Sequence, residues 1–574
     1  MSEETKVTKV YGIDLGTTYS AIACINEDGK PEIIKNMEGD STTPSVVLFE
    51  PGSDPAKPNF TVGKAAKSAG ATMANNVVAF IKRLMGKETW VEIEGLKLNP
   101  QKVSSYILRK LVEDAKLAGE EVKDVVITCP AYFDDAKRRA TREAGEIAGL
   151  NVLQIVDEPV AAAMHYGLNK VEGNRTAIVY DLGGGTFDVT VVKISKEDGV
   201  KVEVLCSDGN HELGGKNWDD RIVELLAQKF SDATGVDKAE MLSDPDTRFD
   251  LQTAAEIVKF GLTSRPKVPQ KITYGGNSER IEITREEFEN ATRDLLEDTA
   301  TKTEAMFEMA KERGVDHIND FLLVGGSTRM PQVQALVNER FASRVDGTPK
   351  PFEQDEAVAK GAAMFAHVKA VQTYLDNAQH DIIDAEVKGR GGVVSPDELN
   401  EIKESAKKQA IEQASGEFSM PVKDVEIAGA TITWTVASRS YGVRLLDKQR
   451  QPVVYNMIKK QDPMPATSER EFPVSDSNAM KLPIDVYANN IVDTVAQIAQ
   501  SEQIGHAEML LPPNTPKGAM IRVSFSLSPD GVLEISAADV ATGTKVEARI
   551  EKEYGMSQEE IEQARVENAS LEMV

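Results

Sequence analysis

The chain has 574 residues, a formal net charge of -26 and a hydrophobic content of 41%. Its length exceeds what one hydrophobic core holds, so we expect about three or four domains. The excess of acid argues against binding to nucleic acid or to an anionic membrane, because both need clustered lysine and arginine.

The three cysteines, Cys24, Cys129 and Cys206, lie in or beside apolar segments and have no metal-binding spacing. We interpret them as core thiols in a reducing compartment. Because the N-terminus lacks a signal-sequence pattern and no apolar run could span a bilayer, we predict a cytoplasmic protein.

Residues 9–370 alternate predicted strands with predicted helices, which is typical of an α/β architecture. The first segment, residues 10–20, runs from an apolar strand through Asp14-Leu15-Gly16 and hydroxyl residues into a second strand. A buried strand at residues 124–130 precedes a helix that begins near Asp134.

A second hairpin follows at residues 178–189, where an apolar strand ends in Asp181, three glycines and Thr186 before Asp188 opens the next strand. Three consecutive glycines let backbone N–H groups converge on an anion, and the two acids are hard oxygen ligands suited to Mg2+. A plain glycine-rich turn is the alternative interpretation, and three glycines between two acids make it the less favoured one.

The two hairpins have the same order of strand, Asp-Leu-Gly, hydroxyl and strand, which makes Asp14 and Asp181 counterparts. The strand, turn and helix of residues 321–331 likewise repeat the order at residues 124–134. This repetition predicts two related halves that face each other across a nucleotide.

After Val371 the sequence becomes polar and helical, and a capping box at Ser395-Pro-Asp-Glu398 opens a helix with a thin apolar stripe. From about Thr431 the pattern changes to short alternating strands, which favour a β-sandwich. A last capping box at Ser557-Gln-Glu-Glu560 predicts a short C-terminal helix.

The two Asp-Leu-Gly motifs resemble those of the actin-fold ATPases, and five motifs in order resemble the DnaK-type seventy-kilodalton heat-shock chaperones. These five motifs are Asp14–Tyr19, Phe80–Gly86, Pro130–Phe133, Asp181–Asp188 and Val324–Arg329. The resemblance implies an actin-like ATPase domain of two related lobes at residues 1–371 and a helical connector at 372–430. It further implies a β-sandwich peptide-binding domain at 431–553 and a truncated lid helix at 554–574.

The same resemblance implies a site for ATP or ADP with Mg2+, and K+ as a further possible ion. Its implied catalytic residues are Lys82, which orients the attacking water, with Glu158, Asp181 and Thr186; its implied metal residues are Asp14, Asp181 and Asp188. The implied phosphate and adenosine contacts are Gly16, Thr17, Thr18, Tyr19, Gly183, Gly184, Gly185, Glu256, Lys259, Thr263, Gly325, Gly326, Ser327, Arg329 and Asp355. The implied peptide groove is formed by Leu445, Leu446, Phe472, Leu482 and Ile484.

The chain departs from the family pattern at several positions. Phe260 replaces an arginine over the adenine, and either stacks on the base or turns into the core. Gln154 and Asp157 replace residues at the docking site of J-domain partners, which puts that docking in doubt, while a nucleotide-exchange factor stays possible. The apolar interdomain linker is not recognisable, and the lid is short.

The leading hypothesis is an ATP-hydrolysing chaperone that binds extended apolar segments of unfolded clients and uses hydrolysis to control their release. One alternative is a holdase or nucleotide-exchange partner that binds ATP with little hydrolysis, which Phe260 and the missing linker favour. Intact Lys82, Glu158 and Thr186 oppose it. A small-molecule kinase on the actin fold is another alternative, but it leaves the sandwich without a role.

Overall fold

The computed structural model describes residues 9–52, 57–87, 89–93, 95–170, 173–196, 200–392, 394–474, 480–511, 515–528, 531–543, 545–549 and 555–574. The predicted boundary between sandwich and lid, at residues 553 and 554, lies outside these described residues. The three cysteines are buried and free, as the sequence predicts.

The first lobe is built on a sheet with the strand order β11-β10-β1-β2-β3. Its strands are β1 (Val10–Asp14), β2 (Tyr19–Ile25), β3 (Pro31–Ile34), β4 (Thr43–Pro44), β5 (Val46–Phe49), β6 (Phe60–Val62), β7 (Val77–Ala79), β8 (Val91–Ile93), β9 (Leu96–Leu98), β10 (Asp124–Cys129) and β11 (Asn151–Asp157). Its helices are α1 (Lys64–Ala69), α2 (Pro100–Leu117), α3 (Asp135–Ile147) and α4 (Glu158–Lys170).

The second lobe is built on a sheet whose first five strands have the order β18-β17-β12-β13-β14. Its strands are β12 (Arg175–Leu182), β13 (Phe187–Ser195), β14 (Lys201–Asn210), β15 (Lys267–Tyr274), β16 (Asn277–Thr284), β17 (Asp320–Val324) and β18 (Lys350–Pro351). Its helices are α5 (Gly215–Thr234), α6 (Lys238–Ser243), α7 (Pro245–Ser264), α8 (Arg285–Ala291), α9 (Arg293–Glu312) and α10 (Pro331–Phe341).

The two sheets have the same topology, so the duplication predicted from the sequence is confirmed. In each lobe a central strand, β1 or β12, pairs antiparallel with the next strand of its hairpin. The same central strand pairs parallel with the later crossover strand, β10 or β17. Asp14 and Asp181 therefore occupy equivalent positions at the ends of the two central strands.

A long helix, α11 (Ala357–Gly389), crosses the first lobe and packs on β1, β2, β10 and α4. Glycines make this packing close: a Cβ on Gly12 would lie 2.0 Å from the backbone nitrogen of Ala363, and one on Gly361 would lie 1.8 Å from the carbonyl oxygen of Ala161. Real Cβ atoms do not approach backbone this closely. Glycine is therefore required at position 12, where β1 meets α11, and at position 361, where α11 meets α4.

The helical connector continues α11 with two further helices, α12 (Pro396–Glu417) and α13 (Val422–Ala430). The predicted capping box is confirmed, because the Ser395 side chain accepts from the Glu398 amide and the Glu398 carboxylate accepts from the Ser395 amide. Ile402, Ala406 and Ala410 of the predicted stripe are buried, and their spacing of four residues places them on one face of α12.

The sandwich consists of two antiparallel sheets, with orders β25-β21-β20-β24-β26 and β23-β27-β28-β29, packed through an apolar core. The strands of this region are β19 (Ile432–Val436), β20 (Ser440–Leu446), β21 (Pro452–Ile458), β22 (Pro463–Met464), β23 (Ala466–Pro473), β24 (Lys481–Asn489), β25 (Val495–Gln497), β26 (Ser501–Leu510), β27 (Met520–Leu527), β28 (Leu533–Asp539) and β29 (Lys545–Arg549). The first and fourth, β19 and β22, do not join either sandwich sheet but extend the second-lobe sheet beyond β14.

The C-terminal helix, α14 (Gln558–Ser570), is capped by Ser557 and Glu560 as predicted. It packs on α2 and α3 of the first lobe, where the buried Asn568 donates to the Ser105 hydroxyl at 2.9 Å. Leu571 is buried in the core of the first lobe. The predicted class of fold, two related α/β lobes with a β-sandwich and a short last helix, is thereby confirmed.

None of the helices in the described part of the chain is long and apolar enough to cross a lipid bilayer.

We predict that Gly361→Ala destabilises the first lobe by about 1–3 kcal/mol, the usual cost of overpacking, because α11 must move away from α4. Thermal unfolding followed by circular dichroism measures this as a lower midpoint. Gly389→Ala in the same helix is the matched control, since its Cβ would meet nothing within 4 Å. Equal midpoints for the two variants would contradict the packing argument.

Candidate nucleotide site

A cavity of about 530 Å³ lies between the two lobes, within the size range of ligand-binding sites. Nearly all the residues that the sequence implicates in nucleotide binding and hydrolysis line this cavity, and only Gly185 and Asp188 do not. The lining residues among them are Asp14, Gly16, Thr17, Thr18, Tyr19, Lys82, Glu158, Asp181, Gly183, Gly184, Thr186, Glu256, Lys259, Thr263, Gly325, Gly326, Ser327, Arg329 and Asp355.

The two glycine turns meet at the floor of the cavity. A Cβ on Gly184 would lie 2.0 Å from the Thr18 hydroxyl oxygen, and one on Gly185 would lie 2.4 Å from the Thr17 methyl carbon. The turns could not approach this closely with larger residues. Backbone N–H groups and hydroxyls from both lobes therefore converge on one space, which suits a polyphosphate.

Lys82 and Glu158 form an ion pair at 2.6 Å, and the lysine side chain is only 5% exposed. Burial alone would lower the pKa of Lys82, but the carboxylates of Glu158 and Asp14 raise it above its usual value, so the lysine stays charged. Its ammonium group also lies 5.9 Å from the centre of the Phe133 ring. The sequence places Lys82 on a short 3-10 turn, Ile81–Leu84, after Phe80 in a left-handed conformation.

An acidic cluster, Asp14, Asp181 and Asp188, surrounds this pair. Burial, and then repulsion from Glu158, raises the pKa of Asp14 to about 7. The same two causes raise the pKa of Asp181 and of Asp188 well above the usual value. Like charges held together in a dry site favour protonation unless a cation neutralises them.

The chemistry of this cluster fits a hydrated divalent cation. Both carboxylate oxygens of Asp188 are buried without a hydrogen-bond partner. Within the described ranges, no three acid, histidine or cysteine side chains are close enough to chelate a bare metal ion. A cation here would therefore need water or phosphate oxygens to complete its coordination, which is how Mg2+ is usually held.

The opposite end of the cavity has the features expected of a nucleoside site. Gly325 has a φ of 83°, and Ser327 donates from its hydroxyl to the Gly183 carbonyl at 2.9 Å, which joins this turn to the phosphate hairpin. Arg329 pairs with Asp355 at 2.5 Å. Phe260 lines the cavity and is 54% exposed, so it does not turn into the core.

Contacts between the lobes close the cavity over the turns. The Tyr19 hydroxyl donates to Glu256 at 2.9 Å, and Lys67 of the first lobe pairs with the same glutamate of the second. Within the second lobe, Lys259 of α7 forms an ion pair with Asp219 of α5 at 2.7 Å. These contacts connect the elements that would hold the two ends of a nucleotide.

Sequence reasoning missed the start of α5, which lies beside the second glycine turn. The amides of Gly215 and Lys216 donate to the carbonyls of Gly183 and Gly184 at 2.9 and 2.8 Å. Lys216 and Asp219 both line the cavity. The available signal was Gly214-Gly215-Lys216, a glycine pair followed by a basic residue at a helix start.

The peptide-groove candidates fall into two environments. Leu445, Phe472 and Leu482 are half-buried and pack against the sandwich core, while Ile484 is buried within it. Leu446 is 57% exposed and, by strand alternation, points away from Leu445. The structure thus brings Leu445, Phe472 and Leu482 to the same core as Ile484 and leaves Leu446 at the surface.

Asp157, one of the two departures at the expected docking site of J-domain partners, is not exposed at the surface. It is buried and forms an ion pair with Arg138, and its other carboxylate oxygen accepts from the Thr435 hydroxyl at 2.5 Å. The neighbouring carboxylate raises the pKa of Arg138, against the lowering effect of burial. Gln154, by contrast, is half-buried.

Comparisons with known proteins identify the family. The family model described as "Hsp70 protein" matches residues 10–94, 87–428 and 432–573. A chaperone protein DnaK from Thermosipho melanesiensis is 33% identical over 97% of this chain and 82% of its own length. A second, from Thermosipho africanus, is 33% identical over 96% of this chain and 81% of its own length.

The chain therefore belongs to the Hsp70 family, whose members are ATPases that act as chaperones. The prediction of a nucleotide-binding, ATP-dependent chaperone is confirmed, and the non-hydrolysing alternative is not better supported.

We predict that Asp188→Asn stabilises the ligand-free protein and that the gain is larger at pH 8 than at pH 5. A carboxyl whose pKa is raised by folding destabilises the folded state increasingly as pH rises, and the amide removes that effect. Thermal unfolding in EDTA at both pH values measures the gain. Asp316→Asn, at an exposed position, is the control; a larger gain at pH 5 than at pH 8 would refute the burial argument.

Proposed function

We propose that the cavity between the lobes hydrolyses Mg-ATP, with the residues implied by the sequence in the roles given above. The observation that carries the proposal is the buried Lys82–Glu158 pair, which lies beside three acids whose pKa values are raised by burial and by repulsion from Glu158. An actin-type cleft that only bound nucleotide would not need a desolvated ammonium group and a carboxylate at its floor.

In this mechanism the protein contributes positioning and electrostatic stabilisation rather than covalent chemistry. Thr17, Thr18 and the amides of the two glycine turns hold the phosphates. Thr186 donates to the terminal phosphate, and Lys82, held by Glu158, orients the attacking water and offsets developing negative charge. Asp14, Asp181 and Asp188 would hold Mg2+, which would supply charge neutralisation at the phosphates, and K+ is proposed as a further ion.

The adenosine is proposed to lie between the turn at residues 325–329 and the face of α7 that carries Glu256, Lys259 and Thr263. The exposed ring of Phe260 supports stacking on the base, with the loss of the charge that an arginine would supply. Asp355 fixes Arg329 at the opposite wall through their ion pair.

The sandwich is proposed to bind extended apolar segments of unfolded polypeptides. Leu445, Phe472, Leu482 and Ile484 would form the groove, and Leu446 would contribute an exposed rim contact. Backbone hydrogen bonds would hold the peptide, and one buried apolar side chain would give selectivity. Hydrolysis would control release of the peptide, and the proposed location is the cytoplasm.

Partners of this cycle are proposed to include a J-domain protein and a nucleotide-exchange factor. The internal pairing of Asp157 with Arg138 removes one objection to J-domain docking, because that acid is not presented at the surface. Gln154 still lacks the positive charge that the resemblance associates with this docking.

We predict that Lys82→Ala lowers single-turnover ATP hydrolysis by roughly 10²–10³-fold, the size typical of a lost electrostatic contact in an active site. The dissociation constant for ATP is expected to change by less than about threefold, since the phosphate turns are intact. Quenched-flow hydrolysis and nucleotide fluorescence measure the two effects. Lys97→Ala, an exposed lysine of the same lobe, is the control; wild-type turnover in Lys82→Ala would exclude the proposed role.

We predict that Phe472→Ala and Leu482→Ala each weaken binding of a labelled extended apolar peptide by about tenfold or more, because each removes buried apolar surface. Leu446→Ala is expected to cost about twofold. Fluorescence anisotropy with the full chain measures the affinity. Val566→Ala, exposed on α14, is the control, and unchanged affinity in both groove variants would move the peptide site elsewhere.

A further inference from the structure

Lys216 is a charged residue of the cavity to which the proposed mechanism gives no role. It is the second residue of α5, and its amide donates to the Gly184 carbonyl at 2.8 Å. Its side chain lines the cavity together with Gly184, Thr186 and Lys82. The backbone of Lys216 is thus joined to the glycine turn that is proposed to hold phosphate, and its side chain reaches the space beside that turn.

A second, smaller cavity of about 60 Å³ adjoins the phosphate turns. Thr17, Thr18 and Lys216 line both this cavity and the larger one, whereas Asp220 lines only the smaller one. Lys216 therefore lies where the two spaces meet, and Asp220 lies outside the nucleotide cavity.

The ammonium group of Lys216 is held by a solvent-exposed ion pair. It lies 2.6 Å from the carboxylate of Asp220, four residues later on α5, and that side chain is 41% exposed. Exposed pairs at this spacing contribute little to stability, because water and salt screen them. The ammonium group also lies 5.4 Å from the centre of the Phe80 ring, which belongs to the first lobe and precedes the turn of Lys82. Lys216 thus reaches across the cleft.

The other two lysines that line the cavity, in the part of the chain that the structure describes, are held by more buried partners. Lys82 pairs with Glu158 and Lys259 pairs with Asp219, and these carboxylates are only 10% and 15% exposed. Separating a desolvated pair leaves an uncompensated charge away from water. Of the three lysines, Lys216 therefore changes its partner at the lowest cost.

The position of Lys216 in its helix is unfavourable when no anion is bound. The N-terminus of a helix carries a partial positive charge, which repels a cation in the first turn. Helix α5 is 20 residues long, and its described first turn contains no acid that would offset this repulsion. An anion that entered between Lys216 and Lys82 would relieve the repulsion, and the phosphates of a nucleotide are anions of this kind.

We propose that Lys216 is a specificity-determining residue that distinguishes ATP from ADP. Its ammonium group exchanges the exposed carboxylate of Asp220 for the terminal phosphate of ATP. ADP lacks that phosphate, so Lys216 stays paired with Asp220 when ADP is bound. The inference rests on the proposed function, because it takes the glycine turns as the end of the site that holds the phosphates.

Equilibrium binding to the full chain tests the proposal without hydrolysis. Isothermal titration calorimetry compares ADP with an ATP analogue whose β- and γ-phosphates are joined by nitrogen. Lys216→Gln removes the charge and is expected to weaken binding of the analogue by about tenfold or more, the effect of a lost hydrogen bond between charged groups. Binding of ADP is expected to change by less than about threefold, and Lys216→Arg is expected to bind both nucleotides within about threefold of the wild type.

Asp220→Asn tests the exchange of partners. It removes the carboxylate that competes with phosphate and is expected to strengthen binding of the analogue by about twofold, because the exposed pair is weak. A weakening as large as that of Lys216→Gln would contradict the exchange. Lys271→Ala, at an exposed position of β15 in the same lobe, is the control and should leave both affinities unchanged.

Equal weakening of both nucleotides in Lys216→Gln would overturn the proposal, since the lysine would then act on the cleft as a whole through its contact with Phe80. Unchanged binding of both nucleotides in that variant would overturn it as well. A wild-type chain that binds both nucleotides but does not hydrolyse ATP would overturn the proposed function alone, because the two affinities are measured without turnover.

Discussion

The close approach of two glycine turns across the cleft is the constraint on which the structure depends. Gly184 and Gly185 lie against Thr18 and Thr17 with no room for a Cβ. This contact fixes how the lobes face each other, and it places the acids at the ends of the two central strands, Asp14 and Asp181, around one cavity. The duplicated topology follows from the same requirement, because two hairpins must present equivalent ends to one ligand.

Electrostatics gives the cleft its chemistry. Asp181 and Asp188 are buried and Asp14 is half-buried, and all three have raised pKa values, while Lys82 is buried with its charge retained. A site of this kind is unfavourable when empty and becomes favourable when phosphate and a cation enter together. The arrangement therefore couples the binding of phosphate to the binding of the cation. Either ligand alone would leave charges of the same sign close together without neutralising them.

Local sequence patterns predicted local structure well. The capping boxes at Ser395 and Ser557 and both phosphate hairpins could be predicted because their partners lie within a few residues. Contacts between distant residues could not be predicted in this way. Nothing in the sequence near Lys82 indicates that Glu158, 76 residues later, is its partner. The pairing of β19 with β14 was missed for the same reason, because an alternating strand after a helical segment fits a sandwich equally well.

Strand β19 also affects the solubility of the protein, because it covers the edge of β14. Without β19, the outer side of β14 would present a row of unpaired backbone amides and carbonyls, which is a template for adding a strand from another molecule. The residues after the connector cover that row with the chain's own backbone. A variant that released β19 would thus expose an unpaired sheet edge, through which molecules could associate with one another.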